Sequence, residues 1–368
     1  MKNNVTPINP KAGIAILAFI IIFSLFSCSP RVEPLGVFGK SRLAEVLGQD
    51  GVTPIPFDEH TTFWTFGDTI LGAWKGGVSA SATFLASADI KEMLSNSLAF
   101  TDAPAPKTVA NLKFTYYKEN GKIAQFVKLR AGENPMRDRL WAVDGIRLGD
   151  RLYVYYMVIK IDQPGKPFAF SLRGTGIARW EIPEKWKPGD EMRFMRLPNL
   201  FPGGYPAFGA CAIERNGYVY TIGQYTTKQM TSPVKIARVI KNEIENSAHY
   251  EFLGAGGAWV RDAQNAEPLL NDVAGECSLS YNEYLKCYIL VYCQLWTGNI
   301  IMVKFRDFSE IYSAAKEVIY QPPKLEPGGA APNVFYYSGK EIFSHGGDIY
   351  AIYINPLEYQ PYCIKIKL

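Results

Sequence analysis

Four carboxylates in this chain stand where an ordinary solvent-facing acid would be out of place. Asp68 ends an aromatic run in Phe63-Trp64-Thr65-Phe66-Gly67-Asp68-Thr69, and Asp50 lies eighteen residues earlier in Leu47-Gly48-Gln49-Asp50-Gly51. Asp144 interrupts Leu140-Trp141-Ala142-Val143-Asp144-Gly145-Ile146, and Glu276 sits in Asp272-Val273-Ala274-Gly275-Glu276-Cys277-Ser278. A carboxyl beside apolar groups or like charges keeps its proton to higher pH, whereas hydrogen bonds to the ionised form keep it charged. Two carboxyls in opposite protonation states are what cleavage of a glycosidic bond requires. One protonates the leaving oxygen, and the other activates water or attacks the sugar. The competing reading of each is a turn or capping carboxylate, as Asp before Gly often is. Asp150 and Asp348, in hairpin turns, are read that way.

Other chemistries find little support. The chain has no GxSxG elbow, HExxH pair, phosphate-cradling loop or dinucleotide fingerprint. With three histidines (His60, His249 and His345), a Ser-His-Asp hydrolase or a multi-histidine metal centre is poorly supported. Trp74, Tyr205, Trp259 and Trp296 fall in loops or at strand ends and are candidates for an aromatic platform under a sugar ring. The same residues could instead plug the space between packed sheets. His345 is a candidate to face an axial channel, and Arg137 and Arg139 to grip a hydroxyl-rich or acidic ligand.

Positioning these groups falls to β-strands. Helical periodicity is nearly absent, Ala88 to Leu98 being the one stretch that suits a short helix. What recurs is a turn followed by alternating apolar and aromatic residues: Gly149-Asp150 before Leu152 to Val158, Asn216-Gly217 before Tyr218 to Ile222, Asn282-Glu283 before Leu285 to Tyr292, and Gly347-Asp348 before Ile349 to Tyr353. Each is preceded by a strand (Trp141 to Leu148, Gly209 to Glu214, Cys277 to Tyr281, Asn333 to Tyr337). Each is followed by another (Gly176 to Trp180, Ile236 to Val239, Ile300 to Phe305, Cys363 to Ile366). Phe63 to Phe66 followed by Ser81 to Ala86 supplies an earlier, fifth copy. Five sheets of one pattern predict an all-β chain, a five-bladed β-propeller of mostly four-stranded antiparallel blades. The inner strand of each blade then lines a central channel, and function is expected at inner-strand ends from several blades.

The N-terminus reads as an address. Lys2 and Lys11 precede an apolar run from Gly13 to Phe26, which ends at Leu25-Phe26-Ser27-Cys28. This resembles a bacterial lipobox, in which the cysteine becomes the new N-terminus and carries lipid. Residues 1–28 are therefore expected to be a signal peptide with Cys28 acylated, 29–36 a tether and 37–368 one propeller, held at the membrane of a bacterial cell envelope. Without Lys2 and Lys11, 37 basic side chains face 35 acidic ones, and no basic tail points to nucleic acid. Five cysteines remain after Cys28, an odd number that suits buried free thiols. No Cys/His spacing suggests zinc.

The carboxylate-bearing segments also carry a resemblance. Phe66-Gly67-Asp68-Thr69 with Asp50-Gly51 eighteen residues earlier, the Phe208-Gly209-Ala210 blade, and Glu276-Cys277-Ser278-Leu279-Ser280-Tyr281-Asn282-Glu283-Tyr284-Leu285 resemble bacterial propeller glycoside hydrolases of the endo-D-arabinanase type. That is glycoside hydrolase family 183, formerly a domain of unknown function. The resemblance implies a hydrolase of furanose-containing glycans, D-arabinan among them, with Asp68 as base, Glu276 as acid, and Asp50 or Asp144 tuning them. The chain departs from related hydrolases in the last blade, where Lys340-Glu341-Ile342-Phe343 stands in place of a His-Pro pair. A lipid-anchored propeller that binds glycan without cleaving it is the alternative. No cofactor is expected. A calcium or sodium ion would fit an axial channel, although no ligand cluster demands one.

Overall fold

The computed structural model describes residues 30–39, 45–74, 88–165, 169–224, 233–325 and 334–368. The lipobox, including Cys28, and the expected strand Ser81 to Ala86 lie outside them. Among the described residues, regular structure is strand with short 3-10 turns, and no helix is long and apolar enough to cross a membrane.

Five antiparallel sheets follow one another along the chain. Blade 1 runs Thr53–Pro56, Thr61–Phe66, Ser97–Asp102 and Thr115–Tyr116. Blade 2 is built on Asp138–Leu148, Arg151–Ile161 and Phe170–Glu181, blade 3 on Ala207–Arg215, Tyr218–Gln224 and Val234–Ile240. Blade 4 runs Val273–Asn282, Cys287–Gln294, Ile300–Phe305 and Lys316–Tyr320. Blade 5 runs Tyr337–His345, Asp348–Asn355 and Gln360–Lys367 and takes its outer strand from the other end of the chain, Arg31–Val37. The first strand of each blade touches the first strand of the next, and blade 5 returns to blade 1, so the five inner strands close a ring. This is a five-bladed β-propeller. A smaller sheet of Val46–Gln49, Thr69–Trp74 and Ala88–Leu94 is added beside blade 1.

The aromatic load is spent mainly between blades. Phe57, Phe63, Trp180 and Trp186 fill the seam of blades 1 and 2. Phe201, Phe208, Tyr250 and Phe252 fill the next. Tyr220, Tyr288 and Phe308 fill that of blades 3 and 4, and Phe38, Trp64 and Phe114 that of blades 5 and 1. Large rings suit this task because facing sheets leave wedge-shaped gaps, and each buried aromatic removes a large apolar area from water. The five cysteines after Cys28 are buried in these strands.

Two expectations are corrected. Ala88–Leu94 is a strand, not the start of a helix: it hydrogen-bonds along Thr69–Trp74, and edge pairing outweighs the helix propensity of its Ala, Lys, Glu, Met and Leu. Residues 31–36 are no tether. Arg31 pairs with Lys367 and Val37 with Tyr362, which seals the ring by joining the two ends of the chain in one sheet.

Candidate active site

The inner strands are interrupted where they approach the axis. Their register slips between Ala142 and Gly145, Phe208 and Cys211, Val273 and Cys277, and Tyr337 and Lys340. Such bulges re-aim side chains that a regular strand would direct into the sheet. Asp144 and Glu276 both lie in them, and Lys340 closes one. Gly275 adopts φ +69°, and a Cβ there would lie 2.6 Å from Oγ of Ser338. The bulge that presents Glu276 therefore requires glycine. The Ser338 hydroxyl accepts a hydrogen bond from the Glu276 backbone N–H at 3.1 Å.

Asp50 and Asp68 are neighbours because their backbones are paired. Gly67 N–H donates to the Asp50 carbonyl at 3.0 Å, and Asp50 N–H to the Asp68 carbonyl at 3.3 Å. A Cβ on Gly67 would come within 2.6 Å of Asp50 Oδ1, and one on Gly51 within 3.4 Å of Glu276 Oε1, so small residues let the three acids converge. The hydroxyls of Tyr337 and Tyr359 donate to the same oxygen of Asp50, Oδ2, at 3.0 and 2.9 Å. The Trp141 indole N–H donates to Asp68 Oδ1 at 2.9 Å.

Glu276 has a different partner. The Lys340 ammonium, 1% exposed, lies 2.5 Å from its Oε2 and 2.5 Å from Thr53 Oγ1. The contact is an ion pair between the inner strands of blades 4 and 5.

The acids differ accordingly. Burial, with the charges of Asp68 and Glu276 alongside, pushes Asp50 up to about 8 despite the two tyrosine hydroxyls. Burial raises Asp68 to about 6, against the Trp141 hydrogen bond and the charge of Arg139. The two titrate as a coupled pair, both above the ordinary carboxylate range. Asp144 is raised to about 7 by burial, but its oxygens are both engaged by backbone, Gly145 N–H at 2.6 Å and Ala212 N–H at 2.7 Å. It clips blade 2 to blade 3 inside the channel. Below it a cavity of about 370 Å³ runs along the axis past Ile55, Arg147, Ile213, Ser280 and Phe343.

The structure thus gathers Asp50, Asp68 and Glu276 at one mouth of the channel and places Asp144 in its wall. The aromatic candidates scatter. Trp259 sits on an outer strand of blade 3, edge-on to Phe308 at 5.8 Å and under the Arg238 guanidinium, which makes it a seam filler instead of the expected platform. His345 lies at the other end of the blade 5 inner strand, stacked on Phe343, away from the acids and not in the position expected of a site residue. Tyr205 stacks on Phe201 at the rim of the seam between blades 2 and 3. Trp74 packs with Leu47, Ile70 and Ala88 in the added sheet, beside Tyr359. Trp296 stays open, 52% exposed and edge-on to Phe335, at the mouth end of blade 4.

Sequence reasoning missed Lys340, Tyr337, Tyr359 and Trp141. The criterion that singled out Asp144, a charge inside an apolar inner strand, would have found Lys340 if applied to cations. Tyr359 gives no such signal, since its contact with Asp50 spans 309 positions.

The family described as a domain of unknown function, DUF4185, matches residues 45–364. No curated protein matches the chain. Among solved structures, a presumptive hydrolase from Bacteroides ovatus is similar with a TM-score of 0.59 at 14% identity, covering 90% of this chain and 86% of its own. A family 117 glycoside hydrolase from Zobellia galactanivorans gives 0.49 at 8% identity, covering 92% and 91%. A GH43_1 enzyme from Xanthomonas citri gives 0.48 at 12%, covering 92% and 90%.

Proposed function

This chain belongs to the DUF4185 family, and we propose that within that family it is a glycoside hydrolase. The observation that carries the reading is the pairing of two buried carboxyls, Asp50 and Asp68, at the channel mouth, one held by Tyr337 and Tyr359 and the other by Trp141. Glycosidic cleavage needs that combination. As the bond from the anomeric carbon to the leaving oxygen breaks, Asp50 supplies the proton the oxygen takes up. Asp68, oriented by Trp141, removes a proton from the water that attacks the anomeric carbon. The sequence reading assigned the acid to Glu276. Glu276 is instead engaged by the Lys340 ammonium at 2.5 Å, and in this reading the acid's part passes to Asp50.

The substrate we propose is a furanose-containing glycan, D-arabinan first, on the resemblance of the first-blade Asp pair and the fourth-blade Glu strand to arabinan-cleaving propellers. The test is oligosaccharide release from a panel of glycans by the mature protein and by its Asp68→Asn, Asp50→Asn and Glu276→Gln variants. Release by the parent, lost in the two Asp variants while folding is retained, supports the reading. Release that survives both substitutions rejects the assignment. Exposed Trp296, edge-on to Phe335 near the mouth, favours the second reading, a propeller that holds glycan without cutting it. Binding to the same panel with no release would select it.

A further inference from the structure

The path of the chain through blade 5 relates the anchor to the site. At Tyr337 the inner strand meets Asp50, and at its other end His345 pairs with Asp348, which in turn pairs with Lys367. Lys367 pairs with Arg31. Arg31 therefore sits at the end of the propeller opposite the carboxylates, about 26 Å away for a nine-residue strand. In the sequence only Ser29 and Pro30 separate Arg31 from Cys28, three residue steps of at most about 3.8 Å each.

The surface at this end suits a lipid interface. Tyr284, in the hairpin turn that follows the blade 4 inner strand, is 67% exposed, and Leu368 is 38% exposed. Both stand beside Gly347, next to the strand end where Arg31 and Lys367 meet. Lys286 flanks Tyr284, ion-paired to Glu283, and Glu33 lies on the same edge strand as Arg31. An exposed tyrosine and leucine beside a rim of long cationic and acidic side chains suits headgroup depth, where amphipathic rings and snorkelling cations rest.

We propose that the propeller docks by this end on the membrane that holds Cys28, so that the carboxylate mouth faces away from the bilayer toward glycan in the aqueous phase. The short link removes the freedom a long tether would give, and Tyr284 and Leu368 settle into the interface beside the acyl chains. The proposal rests on acylation of Cys28 and is independent of the hydrolase reading.

The test uses the full chain, processed in a bacterial host and reconstituted in phosphatidylethanolamine–phosphatidylglycerol vesicles containing a lipid with a spin-labelled headgroup. A fluorophore is placed on Tyr284→Cys or on Trp296→Cys; the five native cysteines after Cys28 are buried. The Tyr284→Cys label is expected to lose most of its emission and the Trp296→Cys label almost none. A long Gly-Ser insertion after Ser29 is expected to abolish that difference while leaving the protein membrane-bound. Equal quenching at both positions, or stronger quenching at Trp296→Cys, overturns the orientation. A mature N-terminus without acyl mass overturns the anchor on which it rests, whatever the glycan assay gives.

Discussion

Asp50 at the channel mouth and Asp144 in the channel wall are both buried acids, each followed by glycine and each raised by loss of water. Asp144 spends both oxygens on backbone N–H groups of two blades, which makes it a clip. Asp50 receives two hydroxyls on one oxygen and leaves the other beside Gly67, with Asp68 and Glu276 pressing on it as like charges. Burial alone therefore does not tell the two apart. What separates the two regions is that backbone N–H groups take both oxygens of Asp144, whereas Asp50 stands beside a second carboxyl, Asp68.

The sharpest division between the two regions is expected in turnover. Asp68→Asn and Asp50→Asn should each lower kcat/KM for glycan release by about 10²–10⁴-fold while the fold is retained. Asp144→Asn should do the reverse. Placing an amide N–H against a backbone N–H costs about 1–3 kcal/mol of stability, read by urea denaturation, while kcat stays within a few-fold. Loss of turnover in Asp144→Asn without loss of stability would erase the distinction.

Next comes the internal cation. Lys340→Met strands Glu276 among other acids and should cost about 3–5 kcal/mol of stability, most of it recovered in the double variant Lys340→Met, Glu276→Gln. A single variant as stable as the parent would show that the pair is not holding the mouth together.

pH resolves the pair more finely. Activity should be bell-shaped, falling below about 6 as Asp68 takes a proton and above about 8 as Asp50 loses one. Stability follows from the same groups. Asp50 binds its proton more tightly folded than unfolded, so its contribution is complete below about 4 and is lost as pH rises to about 8. Asp50→Asn should therefore flatten the decline in melting temperature over that range. An unchanged slope would mean that Asp50 is ionised in the folded protein.

The smallest effect is expected from Tyr359→Phe. Removing one of two hydroxyl donors to ionised Asp50 should move the alkaline limb of the activity profile to higher pH, at a stability cost of about 1 kcal/mol. A limb that moves to lower pH would mean that the hydroxyl stabilises the protonated acid.

Much of this molecule was legible in its sequence because the relevant physics is local. Alternating strands and turn residues predict the five sheets, since strand period and turn chemistry act over a few positions. The misplacement of Asp50, Asp68, Asp144 and Glu276 in apolar, glycine-containing segments was visible for the same reason. Local reading failed where pairing is remote. Ala88–Leu94 follows the strand it joins over its own propensity, and Arg31–Val37 becomes blade structure only by meeting the far end of the chain. Ring closure also set the surroundings of the acids. It brings Lys340 and Tyr337 from blade 5 and Tyr359 from its rim against acids of blades 1 and 4. Protonation depends on the charges and donors within a few ångströms, and those neighbours lie up to 309 positions apart along the chain.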